Sequence, residues 1–190
     1  MKKILIIDNY DSFTYNLVQI VDQNFSGEFE VKRNDKIDLA DVDKYDGIIL
    51  SPGPGIPDEA GVLKEVIETY APSKKIFGVC LGLQAIAEVF GGKLRNLDKV
   101  HHGIATTMVQ TDKEDVTFQS IPKEFDAGRY HSWIVDHDGL PEEIVVTCVD
   151  EEGEIMAAKH KNYEVRGVQF HPESVLTKHG EQMIINFLNS

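Results

Sequence analysis

Three short segments hold residues that could do chemistry together. The first is Gly78-Val79-Cys80-Leu81-Gly82, a thiol set between two glycines where an apolar run ends and a helical pattern begins. This is the Gly-x-nucleophile-x-Gly elbow with Cys in the nucleophile's place, and the glycines remove the Cβ atoms that would clash as the chain reverses. Cys80 then stands at the N-terminus of a helix, where the backbone dipole favours an anion. A free cysteine more often packs as a small hydrophobe, but two flanking glycines at a strand end shift the balance toward catalysis.

A thiolate needs a base, and the base needs a third group to fix its tautomer. His171-Pro172-Glu173 offers both. Pro172 biases His171 to an extended conformation, and in extended chain residues i and i+2 share a side, so the Glu173 carboxylate can hold one imidazole nitrogen while the other faces Cys80. Alone, such a tripeptide would read as a solvated turn. Acyl transfer also needs donors for the oxyanion. The N–H of Leu81 is one, and Ser51-Pro52-Gly53-Pro54-Gly55, a rigid loop ending another strand, offers a close backbone approach at Gly53.

The elements that must carry these residues alternate. Strands are expected at Ile4–Ile7, Glu28–Lys32, Gly47–Leu50 and Ile76–Val79, and helices from Ser12, as a cap, to Val21, from Ala60 to Tyr70 and from Leu81 to Phe90. That order implies a mostly parallel α/β sheet with helices on both faces, and the loop after Leu50 beside the elbow strand. Later strand-like runs at Ile104–Val109, Ile144–Val149, Glu154–Ala158 and Val165–Phe170, with short connections, imply an antiparallel extension or a small flanking sheet. A last helix is expected near Glu181–Leu188.

Composition sets limits. The 190 residues are 42% hydrophobic and 27% charged, with no linker or low-complexity run, which suits one globular α/β domain over 1–190. A formal net charge of −13 argues against a nucleic-acid partner. The apolar run Ile4–Ile7 is too short for a signal peptide or membrane span. Two distant cysteines, Cys80 and Cys148, fit a reduced cytoplasmic chain. The histidines His101, His102, His131 and His137 lack the tight, supported spacing of a zinc site, so no metal is expected.

These segments, with Asp8-Asn9-Tyr10-Asp11-Ser12-Phe13-Thr14, Arg129-Tyr130-His131-Ser132 and Gln169-Phe170-His171-Pro172-Glu173-Ser174, resemble the class I, triad-type glutamine amidotransferases. More narrowly, they are similar to the small subunits of anthranilate synthase and aminodeoxychorismate synthase. The resemblance spans nearly the whole chain and implies a flavodoxin-like fold. It implies that Cys80 attacks the side-chain amide of L-glutamine, with His171 as base and Glu173 as orienting acid. Gly53 and Leu81 would form the oxyanion hole, and Pro54, Gly55, Gln84, Ser132 and the backbone of Trp133 would hold the glutamine. Ammonia would pass to a separate chorismate-using synthase subunit, which also binds Mg2+, with no cofactor in this chain. Two positions depart from the pattern: Leu83 stands where relatives carry His, and Ile104 where they often carry Lys.

Three functions from different classes follow: a glutaminase subunit, a non-catalytic regulatory subunit keeping the same fold, and a stand-alone γ-glutamyl hydrolase or cysteine peptidase.

Overall fold

The computed structural model describes residues 1–98 and 100–190. The chain runs β1 (Lys3–Asp8), α1 (Thr14–Asn24), β2 (Glu28–Arg33), β3 (Gly47–Leu50), α2 (Leu63–Tyr70), β4 (Lys75–Val79) and α3 (Leu81–Val89). It continues through β5 (Leu94–Asn96), β6 (Ile104–Gln110), β7 (Glu124–Arg129), β8 (Trp133–Val135), β9 (Ile144–Asp150), β10 (Ile155–His160), β11 (Val165–Val168) and α4 (Gly180–Asn189). Among the described residues, nine strands form one sheet in the order β2-β1-β3-β4-β11-β10-β9-β6-β7. From β2 to β11 neighbouring strands are parallel, and from β11 to β7 they are antiparallel. A separate antiparallel pair joins β5 to β8. Both anticipated forms of the second half therefore occur, an edge extension and a small flanking sheet.

The sequence spells out the two faces by its period of two. Ile4, Ile6, Ile49, Phe77, Val79 and Val168 point to one face, where they meet Leu17 and Val21 of α1 and Met183, Ile184 and Phe187 of α4. Leu5, Ile7, Ile48, Leu50 and Ile76 point to the other, against Leu63, Val66 and Ile67 of α2 and Leu81, Ala85 and Ile86 of α3. Strands buried on both faces read as unbroken apolar runs, as β1 and β3 do. Each such side chain taken from water contributes on the order of 2 kcal/mol.

Several boundaries differ from the sequence-based expectation. Ser12 is not the cap of α1. The helix begins at Thr14 with Phe13 as N-cap, because the Asp11 carboxylate accepts from the Phe13 N–H and the Thr14 hydroxyl is drawn to Asp8 at 3.0 Å. Before α2, a short 3-10 turn at Pro57–Glu59 takes up the segment near Ala60. Strand β11 ends at Val168, two residues before the expected Phe170. Strands β5 and β8 are only three residues long, and the alternation in β7 covers only Glu124–Ala127, too little to reveal them in the sequence.

Packing at the elbow is set by glycines. A Cβ on Gly78 would lie 2.5 Å from the Gly82 carbonyl carbon and 2.8 Å from Ile86 Cδ1. One on Gly82 would lie 2.8 Å from Leu50 Cβ, and one on Gly167 would lie 2.7 Å from the Gly78 oxygen. So β3, β4, β11 and the first turn of α3 approach more closely than any side chain would permit. Gly78→Ala is expected to destabilise the fold by about 1–3 kcal/mol through overpacking, read as a lowered urea midpoint with unchanged slope; an unaltered midpoint would show that this approach is not tight.

Candidate active site

Cys80 is the N-cap of α3 with φ 53° and ψ −101°. A non-glycine residue at positive φ costs on the order of 1–3 kcal/mol and persists only where its surroundings impose it. Here they do so from both sides. The Cys80 N–H donates to the Val168 carbonyl of β11 at 2.8 Å, and the Cys80 carbonyl accepts from the Gln84 N–H at 3.1 Å to start the helix. The thiol is left nearly buried, 6% exposed, at the carboxyl end of the parallel strands.

β11 lies beside β4, with Gly167 opposite Gly78 and Val168 opposite Val79. The chain leaving β11 therefore delivers His171 next to the elbow. His171 Nδ1 lies 2.7 Å from Glu173 Oε1, the pairing foreseen from the sequence. Its cause is partly different, because this segment is a turn and not a continued strand. The Ser174 N–H donates to the His171 carbonyl at 3.2 Å, the Thr177 hydroxyl donates to the same carbonyl at 2.6 Å, and the His171 N–H donates to Gly128 of β7 at 2.9 Å. Two rings hold the imidazole in place, with Tyr130 4.9 Å and Phe13 5.5 Å from it and 5.0 Å from each other.

Burial alone would push the His171 imidazole below its ordinary value, but the Cys80 and Glu173 side chains outweigh that and raise it to about 10. Nε2 finds no hydrogen-bond partner of good geometry among the described residues, although Cys80 is near enough to favour the charged ring. The two groups thus face each other without closing a full hydrogen bond, as catalytic pairs often do before substrate tightens them.

Two small cavities meet at the sulfur. One, of about 150 Å³, is lined by Gly53, Pro54, Gly55, Cys80, Gln84, Tyr130, His131, Ser132 and Trp133. The other, of about 170 Å³, includes Phe13, Pro52, Gly53, Cys80, His102, Tyr130 and His171. Grooves of about 600 Å³ lie elsewhere, along Met1, Lys74 and Lys75 and between α1 and the segment after His171, and neither contains the thiol. Every residue expected from the sequence to meet substrate by its side chain or loop lines the first cavity. Leu81 begins α3, and the first N–H of a helix has no intrahelical acceptor, which leaves it free to donate elsewhere.

The Ser51–Gly55 loop is fixed from below. The Asn9 N–H donates to Ser51 Oγ at 2.9 Å, and Asn9 Nδ2 donates to the Ser51 carbonyl at 2.8 Å. A Cβ on Gly53 would lie 2.6 Å from both Asn9 Cβ and Leu81 Cδ2. That contact sets Gly53 against the start of α3, where two backbone donors can converge. Gln84 is partly committed already, since its Nε2 donates to the Trp133 carbonyl at 2.8 Å and to Gln169 Oε1 at 3.2 Å. Only its oxygen remains for a substrate.

Tyr130, Phe13, Gln169 and the buried pair of Arg129 with Asp150 at 2.7 Å were not singled out as site residues from the sequence. Tyr130, Phe13, Gln169 and Arg129 lie inside the recognised segments, but nothing in their spacing shows that they meet. Leu83, one of the two departures, is core, packed with Ala87, Val135, Ile144 and Ile155. Ile104, the other, is 36% exposed at the start of β6. No group of three or more His, Cys, Asp or Glu side chains among the described residues could hold a metal ion.

A strained cysteine elbow on a parallel sheet, with a His-Glu pair delivered from the neighbouring strand, is the arrangement that triad-type acyl transfer requires. Residues 5–190 match the family Glutamine amidotransferase class-I, and the chain belongs to that family. It is 46% identical to aminodeoxychorismate synthase component 2 of Escherichia coli, over 98% of this chain and 99% of the relative. It is 45% identical to aminodeoxychorismate/anthranilate synthase component 2 of Bacillus subtilis, over 98% and 96%. The fold matches a glutamine amidotransferase structure from Thermotoga maritima with TM-score 0.78 at 14% identity, covering 99% of this chain and 96% of that one.

Glu173→Gln removes one of the two side chains that keep the imidazole protonated, so the His171 pKa falls back toward its ordinary value. With the imidazolium as proton donor, activity is expected to hold through neutral pH and to fall as pH rises through about 10 in the parent. In the variant this alkaline limb is expected to move to lower pH, with turnover reduced about 10²-fold or more. A pH profile of glutamine hydrolysis checks it, and an unshifted limb would remove Glu173 from this role.

Proposed function

We propose that this chain hydrolyses L-glutamine to glutamate and ammonia and delivers the ammonia to a chorismate-using synthase subunit that makes anthranilate. The observation that carries the reading is the Cys80 elbow facing a His171 ring whose other nitrogen is held by Glu173. In this reading the Cys80 thiolate adds to the amide carbon of glutamine, and the N–H groups of Leu81 and Gly53 receive the oxyanion. His171 passes its proton to the departing nitrogen, which leaves as ammonia, and a γ-glutamyl thioester remains on Cys80. Water then attacks the thioester, His171 takes its proton, and glutamate leaves as the thiolate is restored.

Pro54, Gly55, Gln84, Ser132 and the backbone of Trp133 would hold the glutamine in the cavity they share. No cofactor belongs to this chain in the reading, and Mg2+ belongs to the synthase partner. The compartment is the cytoplasm, which suits the free Cys80 and Cys148. Neither nucleic acid nor membrane takes part, and no helix among the described residues is long and apolar enough to cross a membrane.

A second product fits the same chemistry. Relatives are named for aminodeoxychorismate synthase and for both synthases together, and the partner subunit would choose between the two. Cys80→Ser is expected to reduce glutamine-dependent product formation by the reconstituted complex at least about 10³-fold while product formation from added ammonium is kept. Glutamine-dependent turnover surviving in that variant would reject the reading. A parent complex that uses only ammonium would favour a regulatory subunit.

A further inference from the structure

A line of hydrogen bonds other than the one through His171 reaches the sulfur, and its direction can be worked out from one end. The Trp133 carbonyl can only accept, so the Gln84 atom 2.8 Å from it is an N–H donor. The same Gln84 nitrogen lies 3.2 Å from Gln169, and it can donate only to an oxygen, so Gln169 presents Oε1 to Gln84. The other end of the Gln169 amide is then Nε2, and it lies 3.4 Å from Cys80 Sγ.

The anchor of this line is also fixed. His131 Nδ1 lies 3.1 Å from the same Trp133 carbonyl and must donate to it, which leaves Nε2 to accept from Arg129 Nε at 3.2 Å. Burial, then the nearby Arg129 charge and His101, push the His131 imidazole down to about 3, so it stays neutral and the tautomer does not change. Arg129 is held in turn by Asp150 at 2.7 Å, with both side chains 3% exposed. Gln169 itself has no exposed surface, so its amide has no water to turn toward.

We propose that Gln169 is a positioning residue of the nucleophile: its side-chain N–H, aimed by Gln84, donates to Cys80 Sγ, steadies the thiolate and holds the sulfur toward the cavity. This rests on the reading of Cys80 as nucleophile. A donor to the charged form of an acid favours that form, and the Gln169 N–H gives the sulfur a support besides His171. The arrangement also joins the nucleophile to the Trp133 backbone through two amides, so that the wall of the first cavity and the sulfur cannot move independently.

The test uses Gln169→Met, which keeps the volume and removes the donor. Alkylation of Cys80 by iodoacetamide is followed against pH by mass spectrometry of the Cys80 peptide. Burial pushes the Cys148 thiol up to about 12, which separates the two cysteines. The titratable groups facing the sulfur across its two cavities are His171, His102, His131, Asp11 and Tyr130, and the substitution leaves them all in place. The expected result is a thiol titration moved up by about one pH unit and alkylation at neutral pH slowed about tenfold, with near-UV circular dichroism unchanged.

An unmoved titration in a folded variant would overturn the proposal, since a residue that only fills space would alter stability alone. Should Gln169→Met not fold, the parent protein decides: the Gln169 side-chain amide resonance should follow the titration of Cys80. A resonance that stays still while Cys80 titrates would overturn it equally. Neither measurement uses glutamine, so failure here is separate from failure of the hydrolytic reading.

Discussion

The meeting of a sulfur and an imidazole contributed by two neighbouring parallel strands is the constraint on which the remaining structure turns. Cys80 follows β4 and His171 follows β11, more than ninety positions later in the chain, so local structure cannot bring them together. The pairing of β4 with β11 does so, and it is tight because Gly78 and Gly167 stand opposite each other. A Cβ at either position would push apart the two strands, or β4 from α3. The same glycines let the chain turn into the strained conformation at Cys80. Strain at the nucleophile is therefore offset by close backbone packing around it, and a buried apolar sheet supplies the stability that permits it.

Most polar groups near the thiol follow the rule that buried donors and acceptors are paired, His171 Nε2 and Glu173 Oε2 being exceptions. Two lines of such pairs converge on the sulfur. One runs through His171 to Glu173, and the other runs from Asp150 and Arg129 through His131, the Trp133 carbonyl, Gln84 and Gln169. The first carries charge, in the His171–Glu173 pair. Beyond its Arg129–Asp150 anchor, the second is composed of a neutral imidazole, a backbone carbonyl and two amides, and it fixes direction instead. Removing one member of a buried ion pair such as Arg129 with Asp150 costs about 3–5 kcal/mol in comparable sites, which is why it makes a firm anchor.

Much of this was legible in the sequence because the signals were local. Apolar runs at Ile4–Ile7 and Gly47–Leu50 could only be buried strands, and the glycines around Cys80 announced a sharp turn. The loop Ser51–Gly55 was placed beside the elbow by strand order alone, and β3 does pair with β4. The signals failed where tertiary contacts decide. Strand β7, Glu124–Arg129, alternates charges with buried residues only because β6 lies against it. The start of α1 moved from Ser12 to Thr14 because Asp8, a residue of β1, takes the Thr14 hydroxyl. His171 and Glu173 meet through a turn tied to Gly128 and Thr177, and no pattern within three residues could reveal ties that come from elsewhere. Tyr130, Phe13 and Gln169 were invisible as site residues for the same reason.

The most direct measurement is to mix the protein and its synthase partner with glutamine, quench in acid, and weigh the intact chain and its peptides. If the sulfur is the nucleophile, a glutamyl adduct is found and maps to the peptide containing Cys80, and it is lost on treatment with hydroxylamine, as a thioester must be. An adduct on another residue, or glutamine consumed with none trapped at any quench time, would contradict the account at its centre.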